Sequence, residues 1–288
     1  MKIIEILNSN KPTLSAEIFP PKIGSQLSNA HEIIANLANL KPHFISITHG
    51  AAGGATDFTL DLCDFAQNKC NLPTLAHLTA VNFTKNEIAN QLERFKNSKI
   101  FNILALRGDI VGENAAKNAE MKYATDLMKI INNHGDFAFS GACHPAKHPE
   151  SININFDIEI MKRKIEEGCQ FFTTQLFFDN NILYGFLLKC AAANIKTPIV
   201  AGVMPVVNIN TIKRICALNG DSLPHNFNQM VDKFGACPES LKEAGIAYAT
   251  SQIIDLIANG VKNIHIYTMN KPEIFEKIQK NLSHIFNG

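Results

Sequence analysis

Hydrophobic positions along the chain form two alternating patterns. Near-continuous apolar runs lie at Leu14–Phe19, Phe44–Ile47, Thr74–Ala76, Leu104–Leu106, Phe137–Ala142, Phe171–Phe177, Pro198–Val203 and Ile264–Ile266. They are too short for helices and lack the alternation of a half-exposed strand, so they read as strands covered on both faces, as in a parallel sheet. Between them the apolar residues recur at helical spacing. Residues 26–40 place Leu27, Ile33, Ile34, Leu37 and Leu40 on one face, and 86–96 do so with Ile88, Leu92 and Phe95. Residues 157–168 place Ile158, Met161 and Ile165 inward, with Gly168 as a stop. The strand–helix rhythm repeats roughly every 30 residues, and eight repeats predict a (β/α)8 TIM barrel forming one domain, residues 1–288. The interval from Met204 to Ile264 is long for one helix and carries helical patterns at Thr211–Leu218, Phe227–Phe234 and Glu239–Asn259. Extra helices are therefore expected between the seventh and eighth strands, with the piece around Pro224–Cys237 decorating the top of the barrel.

Composition narrows the class. A chain of 288 residues with 46% hydrophobic residues can bury one large core. A formal charge of +1 gives no reason to expect nucleic acid or a membrane surface as partner. The N-terminus lacks the apolar stretch of a secretory signal, and no run is long enough to span a bilayer. The seven cysteines are scattered without C-x-x-C spacing, which points to reduced thiols and a cytoplasmic location.

Chemistry gathers where the apolar runs end, which in such barrels is the mouth that carries the active site. Glu17 ends the first run and is followed by Ile18, Phe19, Pro20 and Pro21. A carboxyl in an apolar wall is expected to have a raised pKa, as suits a general acid. Arg107 and Asp109 flank Gly108, where the backbone can approach a ligand closely. Thr48 and His49 end the second run, Gln175 lies in the sixth, and Tyr267 ends the eighth. His49, His77, His144 and His265 form a ring that would suit either a metal or an organic cofactor. Metal spacing such as H-x-H or H-E-x-x-H is missing, which favours the organic cofactor, and a metal-dependent hydrolase remains the alternative. His265 also fits a satisfied core position. Gly50–Ala55 would admit a ligand to the backbone or serve as a plain loop. Lys162, Arg163 and Lys164 read as a solvated helix face or as phosphate ligands at the rim. No lysine ends a strand, which counts against Schiff-base chemistry.

Seven segments in order resemble one family. They are Ala16–Pro21, Ser46–Gly50, Ala76–Thr79, Leu104–Asp109, His148–Glu150, Thr174–Asp179 and His265–Asn270, and they resemble the bacterial methylenetetrahydrofolate reductases over essentially the whole chain. The resemblance implies an FAD-binding barrel that reduces 5,10-methylenetetrahydrofolate to 5-methyltetrahydrofolate by ping-pong transfer from NAD(P)H, supplying methyl groups for methionine synthesis. It implies Glu17 as the acid at folate N10, and Asp109 beside flavin and pterin. It gives Gln175 and Tyr267 as folate contacts. FAD contacts are implied at Thr48, His49, His77, Arg107, Gly108, Asp109, His144, Asp157, Arg163 and Lys164, with no metal and a homo-oligomeric assembly. The chain departs from the family at His49 and His144, where tyrosine is expected, at Ile160 in place of asparagine, and at Val231 in place of phenylalanine. A carrier or scaffold that only binds folate or flavin is the non-enzymatic alternative.

Overall fold

The structure is a computed structural model that describes residues 1–22, 24–49, 55–81, 83–109, 120–211 and 223–287. Eight strands run as β1 (Thr13–Ile18), β2 (Ile45–Ile47), β3 (Thr74–Thr79), β4 (Asn102–Leu106), β5 (Ala138–Cys143), β6 (Phe172–Thr174), β7 (Ile199–Val203) and β8 (Asn263–Tyr267). Each pairs in parallel with the next and β8 returns to β1, closing the expected barrel. The helices anticipated from periodicity appear at Leu27–Asn39, Lys85–Asn97 and Ile154–Glu166. Two of these N-termini have side-chain caps: Thr84 accepts from the Glu87 amide, and Asn153 from the Phe156 amide.

Alternation along the strands divides the side chains into two sets. Ala16, Ile18, Ile45, Ile47, Ala76, Leu78, Ile103 and Ala105 belong to the layer between strands and helices, packed with Ile34, Leu37, Leu92 and Ile278. The other set fills the barrel. A short helix, Ile3–Leu7, plugs its lower end, where Ile3 and Leu7 pack with Phe44, Leu75, Leu104, Phe171 and Val200. The Ile3 amide donates to Asn102 Oδ1 at 2.8 Å. With five residues the plug is too short to show a period.

The seam between β1 and β8 joins residues some 250 positions apart, and side chains fasten it along its length. Thr13 donates to Asn263 at 2.9 Å, and Ser15 meets His265 at 2.8 Å. The Thr268 hydroxyl donates to the Glu17 carbonyl at 2.6 Å, and Asn270 makes two reciprocal 2.9 Å bonds with the Phe19 backbone.

The expected extra helices between β7 and β8 are His225–Phe234 and Pro238–Ala258. The first sets Phe227 against Phe178, Met204 and Val206, beside the ends of β6 and β7, as the decoration predicted. The helix expected at Thr211–Leu218 falls, apart from Thr211, outside the described residues, as does Gly50–Gly54 of the glycine-rich segment. No described helix is long and apolar enough to cross a membrane.

Candidate active site at the barrel mouth

Glu17 is the centre of the mouth. Its strand turns Ile18 outward into the helix layer and Glu17 inward, towards residues from β2, β3 and β8. The Ser46 hydroxyl stands 3.3 Å from Glu17 Oε2, and His77 Nε2 and His265 Nε2 each lie 3.7 Å from the same oxygen. Burial pushes this carboxyl up, but the His265 hydrogen bond, the His77 and His265 charges and the Ser46 hydroxyl outweigh it and hold the group below the usual carboxylate range. The expected raised pKa is therefore corrected: the apolar neighbours in sequence face elsewhere, and the groups that surround the carboxyl come from other strands.

His77 sits within β3 rather than at its end, and it is 5% exposed. Burial above all lowers its pKa to about 4, against the pull of Glu17. Among the described residues its Nε2 has no hydrogen-bond partner, nor has Thr79 Oγ1 two residues further up the same strand. The unfolded imidazole binds its proton near pH 6.5, the folded one only near pH 4, so acid favours the unfolded chain across that window. His77→Gln is expected to recover roughly 2 kcal/mol of the stability that the unmodified protein loses between pH 6.5 and 5. Urea midpoints at both pH values read this directly; an unchanged pH dependence would contradict the neutral His77.

The β4 end is built around Gly108, whose φ of +89° is a left-handed conformation. A side chain there would begin 2.9 Å from Thr79 Cβ. Arg107 makes a two-pronged pair with Glu150, at 2.5 and 2.9 Å, and Asp109 beside it is exposed. Glu150 is thus a partner that motif reading left without a role.

Past β5, His144 packs edge-on against His148 at 4.7 Å, and burial, aided by His148, lowers its pKa to about 4. The His148 amide donates to Asp157 Oδ2 at 2.9 Å, tying the first turn of the Ile154–Glu166 helix to this loop. Arg163 is exposed on that helix, whereas Lys164 turns inward and donates to the Ala142 carbonyl at 2.7 Å. Gln175 lies just beyond β6, its amide on the Cys143 carbonyl and its own side-chain oxygen accepting from the Leu176 amide. The Tyr267 hydroxyl donates to the Thr174 carbonyl at 2.6 Å, and burial above all raises its pKa well above that of an ordinary phenol. Thr48 accepts through its carbonyl from Thr59 at 3.1 Å, and His49, its pKa lowered by burial, meets Phe83 edge-on. Val231 packs with the Phe178, Met204 and Phe227 cluster.

Tyr267, Glu17 and His77 thus lie on β8, β1 and β3, with Thr48 just beyond β2 between them, while Arg107, His144 and Asp157 form a second group by the β4 and β5 ends. Sequence reading missed Ser15 and Ser46 and left His265 between core and site. A signal was present, because Ser15, Ser46 and His265 each stand two residues before a singled-out residue, on the same face of its strand. No group of three or more His, Cys, Asp or Glu side chains able to hold a metal occurs among the described residues, so the histidine-ring hydrolase has no ligand set.

Fold and mouth together define a barrel with an enzyme-type site at the C-terminal ends of its strands. The family model for methylenetetrahydrofolate reductase matches residues 2–283, and the chain belongs to that family of oxidoreductases. The 5,10-methylenetetrahydrofolate reductase of Pectobacterium carotovorum is 31% identical over 261 residues, 91% of this chain and 87% of the relative. That of Escherichia coli K12 is 32% identical over the same shares. A maize protein named methylenetetrahydrofolate reductase (NADH) 1 is 31% identical over 99% of this chain, which spans 50% of its length. A Clostridium thermocellum protein, described as binding two copies of 5-methyl-5,6,7,8-tetrahydrofolic acid, shares the fold with a TM-score of 0.67 at 16% identity, covering 99% of this chain and 98% of its own.

Proposed function

We propose that this protein reduces 5,10-methylenetetrahydrofolate to 5-methyltetrahydrofolate with FAD as cofactor and NAD(P)H as donor. The observation that carries the reading is the inward-facing Glu17 carboxylate, set among Ser46, His77 and His265 at the mouth of a barrel of this family. The mouth also suits a flavin. Among the described residues His77 Nε2 and Thr79 Oγ1 are buried without partners, as donors or acceptors awaiting a polar ligand are, and Gly108 lets the β4 end pack closely on Thr79. Thr48, His49, His77, Arg107, Gly108, Asp109, His144, Asp157, Arg163 and Lys164 would hold FAD, with Lys164 leaving the Ala142 carbonyl if its ammonium is to meet a phosphate. The redox chemistry, a hydride taken from NAD(P)H and later passed to the folate in ping-pong order, is what FAD supplies when bound.

The chain's own task is binding, orientation and proton control. Glu17 would hand a proton to folate N10, which opens the one-carbon bridge. Asp109, exposed at the rim, would favour the cationic iminium so formed. Gln175 and Tyr267 would orient the pterin. Because the carboxyl is ionised without ligands, this acid role requires the bound substrate to desolvate it or a neighbour to supply the proton. The chain would act as a single domain in a cytoplasmic homo-oligomer.

The visible spectrum of the purified protein, followed by anaerobic titration, tests the reading. A band near ~450 nm that bleaches with NADH or NADPH and returns on adding methylenetetrahydrofolate is expected. A colourless protein that takes up no added FAD would overturn it.

A further inference from the structure

We propose that Glu17 and His265 share one proton through the Ser46 hydroxyl, making His265 a buried positioning residue that keeps the acid's proton inside the barrel. This rests on the role proposed for Glu17 and goes beyond it by naming where the proton resides.

Four side chains form the path. The Ser15 hydroxyl has one proton, and the Ile264 carbonyl at 3.0 Å accepts it, so Ser15 Oγ must accept from His265 Nδ1, 2.8 Å away. This fixes Nδ1 as protonated and leaves Nε2 as the variable position. Ser46 Oγ lies 3.1 Å from that Nε2 and 3.3 Å from Glu17 Oε2, between two atoms that are themselves 3.7 Å apart. A hydroxyl accepts one hydrogen bond while donating another, so Ser46 can point either way.

Two arrangements satisfy every atom. In one, imidazolium Nε2–H donates to Ser46 Oγ, whose O–H donates to the Glu17 carboxylate. In the other, Glu17 carries the proton and donates to Ser46, whose O–H donates to neutral Nε2. Passing from the first to the second moves the Nε2 proton onto Ser46 Oγ as the Ser46 proton moves to Glu17 Oε2. Charge and proton count are unchanged, and no outside acid enters. The first arrangement agrees with a carboxylate held ionised in the ligand-free site; the second delivers the acid that folate N10 needs.

The setting shields the His265 end of this pair, while the Glu17 side chain stays 20% exposed at the mouth. Ser15 is 0%, Ser46 1% and His265 1% exposed, and Phe44 stacks on the imidazole at 5.8 Å. The titratable groups facing the pair are His77 from β3 and Tyr267 from β8, with His49 beyond His77 and Cys143 beyond Tyr267. His77 has no hydroxyl bridge to the carboxylate, and its burial keeps it neutral until about pH 4. The Tyr267 hydroxyl is already donated to Thr174. Only His265 has both a fixed tautomer and a bridge.

The test follows the histidine nitrogens by 15N NMR in the purified protein, with His265 assigned through His265→Gln. Nδ1 is expected to stay protonated, while the Nε2 signal at neutral pH changes in Glu17→Gln because its hydrogen-bonded partner through Ser46 has lost its charge. A second arm measures the two half-reactions. Ser46→Ala is expected to slow folate reduction about tenfold or more at neutral pH and to alter its pH profile, with flavin reduction within about twofold. Ser46→Thr, which restores the hydroxyl, should recover most of the loss. An identical Nε2 signal with and without the Glu17 carboxylate would overturn the proposal, as would full folate reduction in Ser46→Ala. If the unmodified protein reduces no folate at all, the proposed function fails, and the NMR arm still judges the shared proton.

Discussion

Glu17→Gln is expected to slow reduction of methylenetetrahydrofolate by two to four orders of magnitude, the usual worth of a positioned acid or base, while flavin reduction by NAD(P)H proceeds nearly as before. The split follows from where the carboxylate stands. Its partners are Ser46, His77 and His265, of which only His77 is also among the proposed FAD contacts, and none belongs to the Arg107 and Asp157 side of the mouth. Glutamine keeps the shape and one oxygen for Ser46 but carries no transferable acid proton. Stopped-flow measurement of each half-reaction separates the outcomes: equal loss in both would mean that Glu17 positions the cofactor, and the acid assignment would fall.

The second large effect is expected at Gly202, inside β7. A Cβ added there would lie 2.6 Å from the Thr174 carbonyl oxygen and 2.6 Å from the Tyr267 ring and hydroxyl. The Tyr267 ring therefore occupies the space that a β7 side chain would otherwise fill, and its hydroxyl reaches the Thr174 carbonyl across that gap. Gly202→Ala must push either a strand backbone or the Tyr267 ring aside. A loss of about 1–3 kcal/mol is expected from overpacking, with weakened folate binding because Tyr267 loses its anchor. Gly185 supplies the contrast: it lies within the helix Asn180–Ala192 and a Cβ there meets nothing within 4 Å. Gly185→Ala is expected to stabilise by roughly 0.5–1 kcal/mol. Urea midpoints of both variants decide the point, and equal effects at the two glycines would refute the packing argument.

Much of this molecule was legible from the chain because strand ends carry both signals at once. The apolar run of Leu104–Leu106 stops where Arg107, Gly108 and Asp109 begin, so one pattern marks the strand and its chemistry together. What escaped reading was non-local. Ile18 and Phe19 suggest an apolar wall for Glu17, yet the strand turns successive side chains to opposite faces, and its real neighbours lie 29, 60 and 248 positions away. Lys162, Arg163 and Lys164 form one basic run in sequence, but Lys164 turns to the Ala142 carbonyl while Lys162 pairs with Glu159. The family motifs name candidate residues; the pairing of Arg107 with Glu150, and of His265 with Ser15, needs the barrel closed.

That closure has a kinetic consequence. Pairing β1 with β8 brings together the two ends of the chain, a contact of very long sequence separation, and such contacts carry a high loop-closure cost that slows folding. Glu17 and His265 sit on opposite sides of that seam. An open barrel with seven of its pairings formed would hold a nearly complete core yet keep Glu17 and His265 apart, so recovery of folate reduction during refolding should trail recovery of helical signal and report the moment at which the last strand docks.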